Sequence, residues 1–182
     1  MDGTYSPRKK TGLYKIQSAV ASTSLMALGV TFELVSKYSS EMQSELKDWE
    51  EGRVVLLGVL PNGPAMSVKK EDGQIKFLGM GMRDADFKVL FKNMDSGLMV
   101  LTGQMGSHTA FSQFRAIVYG NLTVGMQVSR TLAIVQKYLL PAFMLNKTFK
   151  RPPVYSAKDL WIKAKVMALI GPGLIAGIGR KV

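Results

Sequence analysis

Phe111-Ser-Gln-Phe-Arg-Ala-Ile-Val-Tyr-Gly-Asn-Leu-Thr-Val-Gly-Met126 passes from one periodicity to another across a Gly-Asn pair. Phe111 to Tyr119 is rich in aromatic and branched residues and reads as a strand, which Gly120-Asn121 ends. From Leu122 the spacing changes. Val124, Val128, Leu132, Val135 and Leu139 recur every three or four residues, which predicts a helix of about 20 residues. Its apolar face is wide, so the helix is expected to be largely buried.

Upstream, Arg53-Val-Val-Leu-Leu-Gly-Val-Leu60 is a short aliphatic run closed by the turn residues Pro61-Asn-Gly-Pro64. Ala65 to Lys69 and Gln74 to Met80 flank Lys70-Glu-Asp-Gly73, a hairpin signal, so at least three antiparallel strands are expected. Arg83-Asp-Ala-Asp86 then reads as a helix start. Asp84 is the capping residue, with Phe87, Leu90 and Phe91 on one helical face. A short helix is expected from Gly97 to Gly103.

Near the start, Ile16, Val20, Thr23, Ala27, Val30 and Leu34 follow helical spacing, which favours a core-facing helix over a signal or anchor segment despite Arg8, Lys9, Lys10 and Lys15. Met42, Leu46 and Trp49 make one further apolar stripe. Asn146 to Pro153 reads as a basic linker leading into a C-terminal helix. The apolar stretch Val166 to Ile178 has 13 residues against the roughly 20 needed to span a bilayer, and Gly171-Pro-Gly173 is expected to interrupt it. Trp161, Lys163, Lys165, Arg180 and Lys181 around it are candidates for contact with a membrane surface, although docking on the protein's own core explains the same residues.

The 182 residues suffice for one core with tails. They divide into a flexible basic tail over 1–12, a main domain over 13–146, and a basic linker with a C-terminal helical segment over 147–182. Hydrophobic residues make up 47% and charged residues 20%, a composition far from disordered chains. The formal charge of +11 favours polyanionic partners such as an anionic membrane. The basic residues are dispersed and no recognition motif accompanies them, so no specific nucleic acid is expected. Cysteine is absent, which excludes disulfides and thiol chemistry and fits a cytoplasmic protein.

One histidine and no cysteine argue against a transition-metal site. Ser107 and His108 are adjacent in sequence, which does not make a catalytic triad without a third orienting group. Asp84 and Asp86 are explained by capping more simply than by acid/base chemistry. The expected protein is not an enzyme and needs no cofactor.

Asp84-Ala-Asp-Phe-Lys-Val-Leu-Phe91, Leu101-Thr-Gly103, Ala110-Phe111 and Ile117-Val-Tyr-Gly-Asn-Leu-Thr-Val-Gly-Met126 follow one another between Ile75 and Leu140, and in that order this part of the chain resembles the sterol carrier protein type-two family. The resemblance implies an α+β fold with a five-stranded, mostly antiparallel sheet covered by helices. An apolar pocket or tunnel between them would carry a fatty acyl chain, sterol or isoprenoid. It also implies noncatalytic carriage or, alternatively, an accessory factor presenting lipid to a partner enzyme. Phe87, Leu90, Phe91, Leu98, Leu101, Met105, Phe111, Phe114, Leu122, Met126 and Leu132 are the candidate lining residues, each apolar and, taken singly, more simply read as plain core.

Overall fold

The computed structural model describes residues 12–140 and 155–178, without the side chains of 108, 158 and 169–178. Two helices, α1 (Gly12–Tyr38) and α2 (Ser40–Leu46), precede a meander of β1 (Val54–Val59), β2 (Ala65–Glu71) and β3 (Gln74–Met80). Next come β4 (Phe87–Phe91), α3 (Met94–Leu101), α4 (Ser107–Ser112), β5 (Ala116–Tyr119), α5 (Leu122–Leu139) and α6 (Ala157–Ile178). The architecture is α+β, with five strands in the order β3-β2-β1-β4-β5.

The β2–β3 hairpin turns through Asp72 (φ 54°) and Gly73 (φ 70°), both left-handed, the geometry that matches the twist of the flanking strands. β1 pairs antiparallel with β2 and parallel with β4, and β4 pairs antiparallel with β5. The chain therefore crosses beneath β2 and β1 between Gly81 and Asp86. That crossover is held by Gly81 N–H to Ala65 O at 2.7 Å and Asp86 N–H to Val54 O at 3.0 Å.

The segment 87–91, expected to be helical, is β4. Asp84 caps no helix; it accepts hydrogen bonds from Ala85 N–H and Lys88 Nζ, and the latter mainly holds its carboxyl below the usual range. Asp86 instead accepts the Val54 amide at 2.8 Å, tying the start of β4 to that of β1. Phe111 to Tyr119 is also shorter as a strand than expected. Phe111 closes α4, Phe114 sits in a left-handed turn (φ 54°), and only Ala116–Tyr119 pairs with β4. The short helix expected from Gly97 begins earlier, at Met94, where Asn93 accepts Ser96 N–H.

On one face of the sheet Val55, Leu57, Met66, Val68, Ile75, Phe77, Phe87 and Val89 meet the helices. α1 contributes Ala21, Leu25, Leu28, Phe32 and Val35, spaced by three and four, to the interior. This face is rotated from the expected one. Ile16 and Val20 are exposed and Thr23 lies outside, because the helix carries two overlapping apolar stripes and the sheet selects the one with larger side chains. By length and composition α1 is the one described helix able to cross a membrane, with mean hydropathy 1.5 and 44% of that window buried in this fold.

α1 reaches β3 through Gly29, where any Cβ would collide with the Phe77 ring. Two α1 side chains satisfy the outer amides of this edge strand: Ser36 Oγ accepts Ile75 N–H at 3.1 Å and Glu33 Oε2 accepts Phe77 N–H at 3.2 Å.

α6 returns along α1, burying Ile162 and Val166 in the same core. It continues through Gly171-Pro-Gly173, where an interruption was expected, although Pro172 removes one intrahelical donor there. At its start Ser156 and Asp159 cap each other, through Asp159 N–H to Ser156 Oγ at 3.2 Å and Ser156 N–H to Asp159 Oδ2 at 3.0 Å. Asp159 Oδ1 also accepts the buried Tyr138 hydroxyl at 2.7 Å, and Lys137 Nζ lies 3.5 Å from Oδ2. Partial burial would raise the Asp159 carboxyl, but the bonds from Tyr138 and Ser156, aided by Lys137, outweigh it and set it at about 2. The Tyr138 phenol is pushed well above its ordinary range, chiefly by burial.

Two measurements check this packing. Gly29→Val is expected to lower unfolding free energy in urea by about 1–3 kcal/mol, the usual cost of overfilling a tight contact. The depressed Asp159 pKa contributes stability above the unfolded carboxylate range and loses it as pH falls towards about 2. That slice is at most about 2 kcal/mol before solvent screening, and unfolding curves between about pH 5 and pH 2 should show it in the native chain and lack it in Asp159→Asn.

Candidate functional site

α5 begins where Asn121 accepts Thr123 N–H at 2.8 Å. Gly120 supplies the positive φ of 123° needed to leave β5, and a Cβ there would lie 2.8 Å from Asp86 O and the Phe87 ring. The C-terminal half of α5 is locked down. Tyr138 is fully buried, while Lys163 Nζ donates to Lys137 O at 3.3 Å and Leu140 O at 2.9 Å, satisfying carbonyls that a helix end leaves unpaired.

The N-terminal half stands over β4 and β5 and leaves a groove of about 450 Å³. Its floor is Leu57, Phe87, Val89, Phe91 and Val118 from the sheet. Its roof is Leu122, Gly125, Met126, Val128, Ser129, Arg130 and Leu132 of α5, and Ser107 and Phe111 of α4 close one end. Gly125 brings α5 against the floor, since a Cβ there would lie 3.0 Å from Phe87 Cζ. The lining is almost wholly apolar, and the rim is apolar too: Leu122 is 77% exposed and Met126 60%. Arg130 is the one charged lining residue among those described, and its Nε donates to Glu45 of α2 at 2.7 Å.

Of the candidates named from sequence, Phe87, Phe91, Phe111, Leu122, Met126 and Leu132 line this groove. Leu90 does not. In a strand Phe87, Val89 and Phe91 share a face, while Leu90 points to the opposite side, towards Leu56 and Met82. Leu98 and Met105 pack around Val59, Phe91, Met94 and Val100 beneath α3, and Leu101 bridges that region and the main core. Phe114 is 77% exposed on the turn before β5.

Leu57, Val89 and Val118 were missed. Strand alternation would have found Val89, and its pairing with Val118 depends on a long-range register. Ser129 and Arg130 lay outside a search for apolar residues.

Neither a carboxylate nor an imidazole belongs to the described lining. His108 falls among the residues whose side chains are not described, as Arg180 and Lys181 fall outside the described chain. The remaining membrane candidates divide. Lys163 is committed to the α5 carbonyls and to the Tyr155 hydroxyl at 3.0 Å, so it is not a free surface charge. Trp161 is 57% exposed and meets Tyr38 edge to face, with Lys165 Nζ 3.9 Å from the Tyr38 ring centroid and 4.8 Å from that of Trp161.

No protein-family model matches the chain, and no curated protein matches it. Among solved structures the chain is similar to sterol carrier protein 2, at 15% identity over 60% of this chain and 91% of that one, with a TM-score of 0.47. It is similar to sterol carrier protein 2 from Yarrowia lipolytica in its apo form, at 15% identity over 64% and 91% of the two chains, with a TM-score of 0.43. It is also similar to the UbiJ-SCP2 ubiquinone synthesis protein, at 16% identity over 68% and 98%, with a TM-score of 0.41.

Proposed function

We propose that this protein binds and carries a hydrophobic ligand, an acyl lipid, sterol or isoprenoid, in the groove beneath α5, without catalysing a reaction on it. The observation that carries this reading is a groove of about 450 Å³ that is apolar on floor and rim, and on its roof apart from Ser129 and Arg130. That volume lies within the range of roughly 300–1,000 Å³ typical of small-molecule sites. Each methylene moved from water into it contributes about 0.8 kcal/mol, so a single chain of ordinary length supports useful affinity.

The rim suits transfer at a membrane. Leu122 and Met126 are exposed apolar groups beside the mouth, and the net charge of +11 attracts an anionic surface. We place the activity in the cytoplasm, at or near such a surface. The alternative role, an accessory factor presenting lipid to an enzyme, uses the same groove.

Native mass spectrometry of freshly purified protein, followed by organic extraction, should reveal a stoichiometric lipid or isoprenoid. An empty protein that also ignores fluorescent fatty acids would overturn the carrier reading in favour of a docking factor. Met126→Glu should weaken fatty-acid binding about tenfold or more while changing stability by less than about 0.5 kcal/mol, because the side chain is on the rim. Sedimentation with anionic liposomes should decline as salt rises; salt-independent association would contradict an electrostatic contribution.

A further inference from the structure

Taking the groove as a lipid site, we propose that its ligand carries an anionic head, a carboxylate or phosphate, gripped by the guanidinium of Arg130. The rest of the lining tells against a charged ligand body: among the described residues its polar side chains are Ser107 and Ser129. Arg130 stands on the roof, in the half of α5 that overhangs the sheet, with its side chain 47% exposed. It therefore lies where the head of a ligand whose chain fills the groove would emerge.

The donor count supports this placement. A guanidinium offers five N–H donors. Glu45 takes the Nε edge at 2.7 Å, and Glu45 is the one described partner of Arg130. The terminal amino groups thus remain for a planar acceptor, which a carboxylate or phosphate meets with two parallel hydrogen bonds. Glu45 belongs to α2, which is anchored by fully buried Met42 and Leu46, so the guanidinium is oriented in advance.

The neighbouring basic residue does not compete. Arg53 is engaged by Gln127 at 2.8 Å and Glu50 at 2.7 Å. A neutral hydroxyl head offers Arg130 one uncharged acceptor, much as water does, in place of a paired anionic one, so the site should discriminate between heads of equal chain length.

Calorimetric titration of the full chain with dodecanoate, dodecyl phosphate and dodecanol at about pH 8, where the acids are ionised, tests this. At least one anion should bind tenfold or more tightly than the alcohol, and the stronger of the two names the head. Arg130→Gln should abolish the difference by lowering anion affinity tenfold or more, and Glu45→Gln, which removes the competing carboxylate charge while keeping an acceptor, should preserve or widen it. Should Arg130→Gln fail to fold, Arg130→Lys serves instead, and reduced discrimination between anion and alcohol is then the expected result. Equal affinity for anions and alcohol in the native chain, or discrimination that survives loss of Arg130, would overturn the inference and leave the lipid-binding reading standing. Failure of all three ligands to bind would overturn both.

Discussion

α5 is fastened most heavily at its C-terminal end, and the groove lies beneath its other half. Tyr138, buried and bonded to Asp159, fixes the last turns of the helix to α6. Lys163 and Tyr155 hold the carbonyls at its C-terminus, the latter through its hydroxyl to Lys137 O at 2.8 Å. In the first half the polar ties are those of Gln127 to Arg53 and to Asp48 O, and of Arg130 to Glu45. There Gly125 rests on the Phe87 ring, and Leu122 and Met126 extend past the edge of the sheet. Packing that closed the whole length of the helix onto β4 and β5 would fill the space; anchoring half of it leaves a cavity whose walls are the unburied remainder of an apolar face.

The sheet sets the other wall, and its two edges are treated differently. At β3 the outer amides are taken by Ser36 and Glu33, and α1 lies against the strand through Gly29. At β5 the strand is only four residues long and its Val118 and Tyr119 are exposed. One edge is thus sealed and one left short beside the groove mouth, an arrangement that limits edge-to-edge pairing while keeping an apolar rim. The exposed rim is costly in water and becomes favourable when a ligand chain or a membrane covers it.

How legible this was from sequence depended on the range of the interactions. The β2–β3 hairpin is written in Asp72-Gly73, and α5 in Asn121 followed by regularly spaced aliphatics, because both signals are local. Phe87-Lys-Val-Leu-Phe91 fits a short helix or a strand equally well; what decides it is parallel pairing with β1, some thirty residues earlier in the chain. That single misreading moved Leu90 into the expected lining and kept Val89 out. α1 was legible as a helix but not in orientation, since Ile16 and Val20 continue one stripe while Ala21, Leu25 and Leu28 begin another. Arg130 carried no signal at all: its position on the groove follows from the stand-off of α5, and its partner Glu45 lies 85 residues away.

The proposed site for the ligand chain is the space between the first half of α5 and the β4–β5 edge. Its most direct test is amide NMR of the full chain titrated with doxyl-labelled stearate, whose nitroxide broadens nearby resonances. Broadening concentrated at Phe87, Val89, Val118, Leu122 and Met126, reversed by unlabelled stearate, is the predicted result. Broadening confined to the outer face of α1 or to α6, with these five amides unaffected, would contradict it.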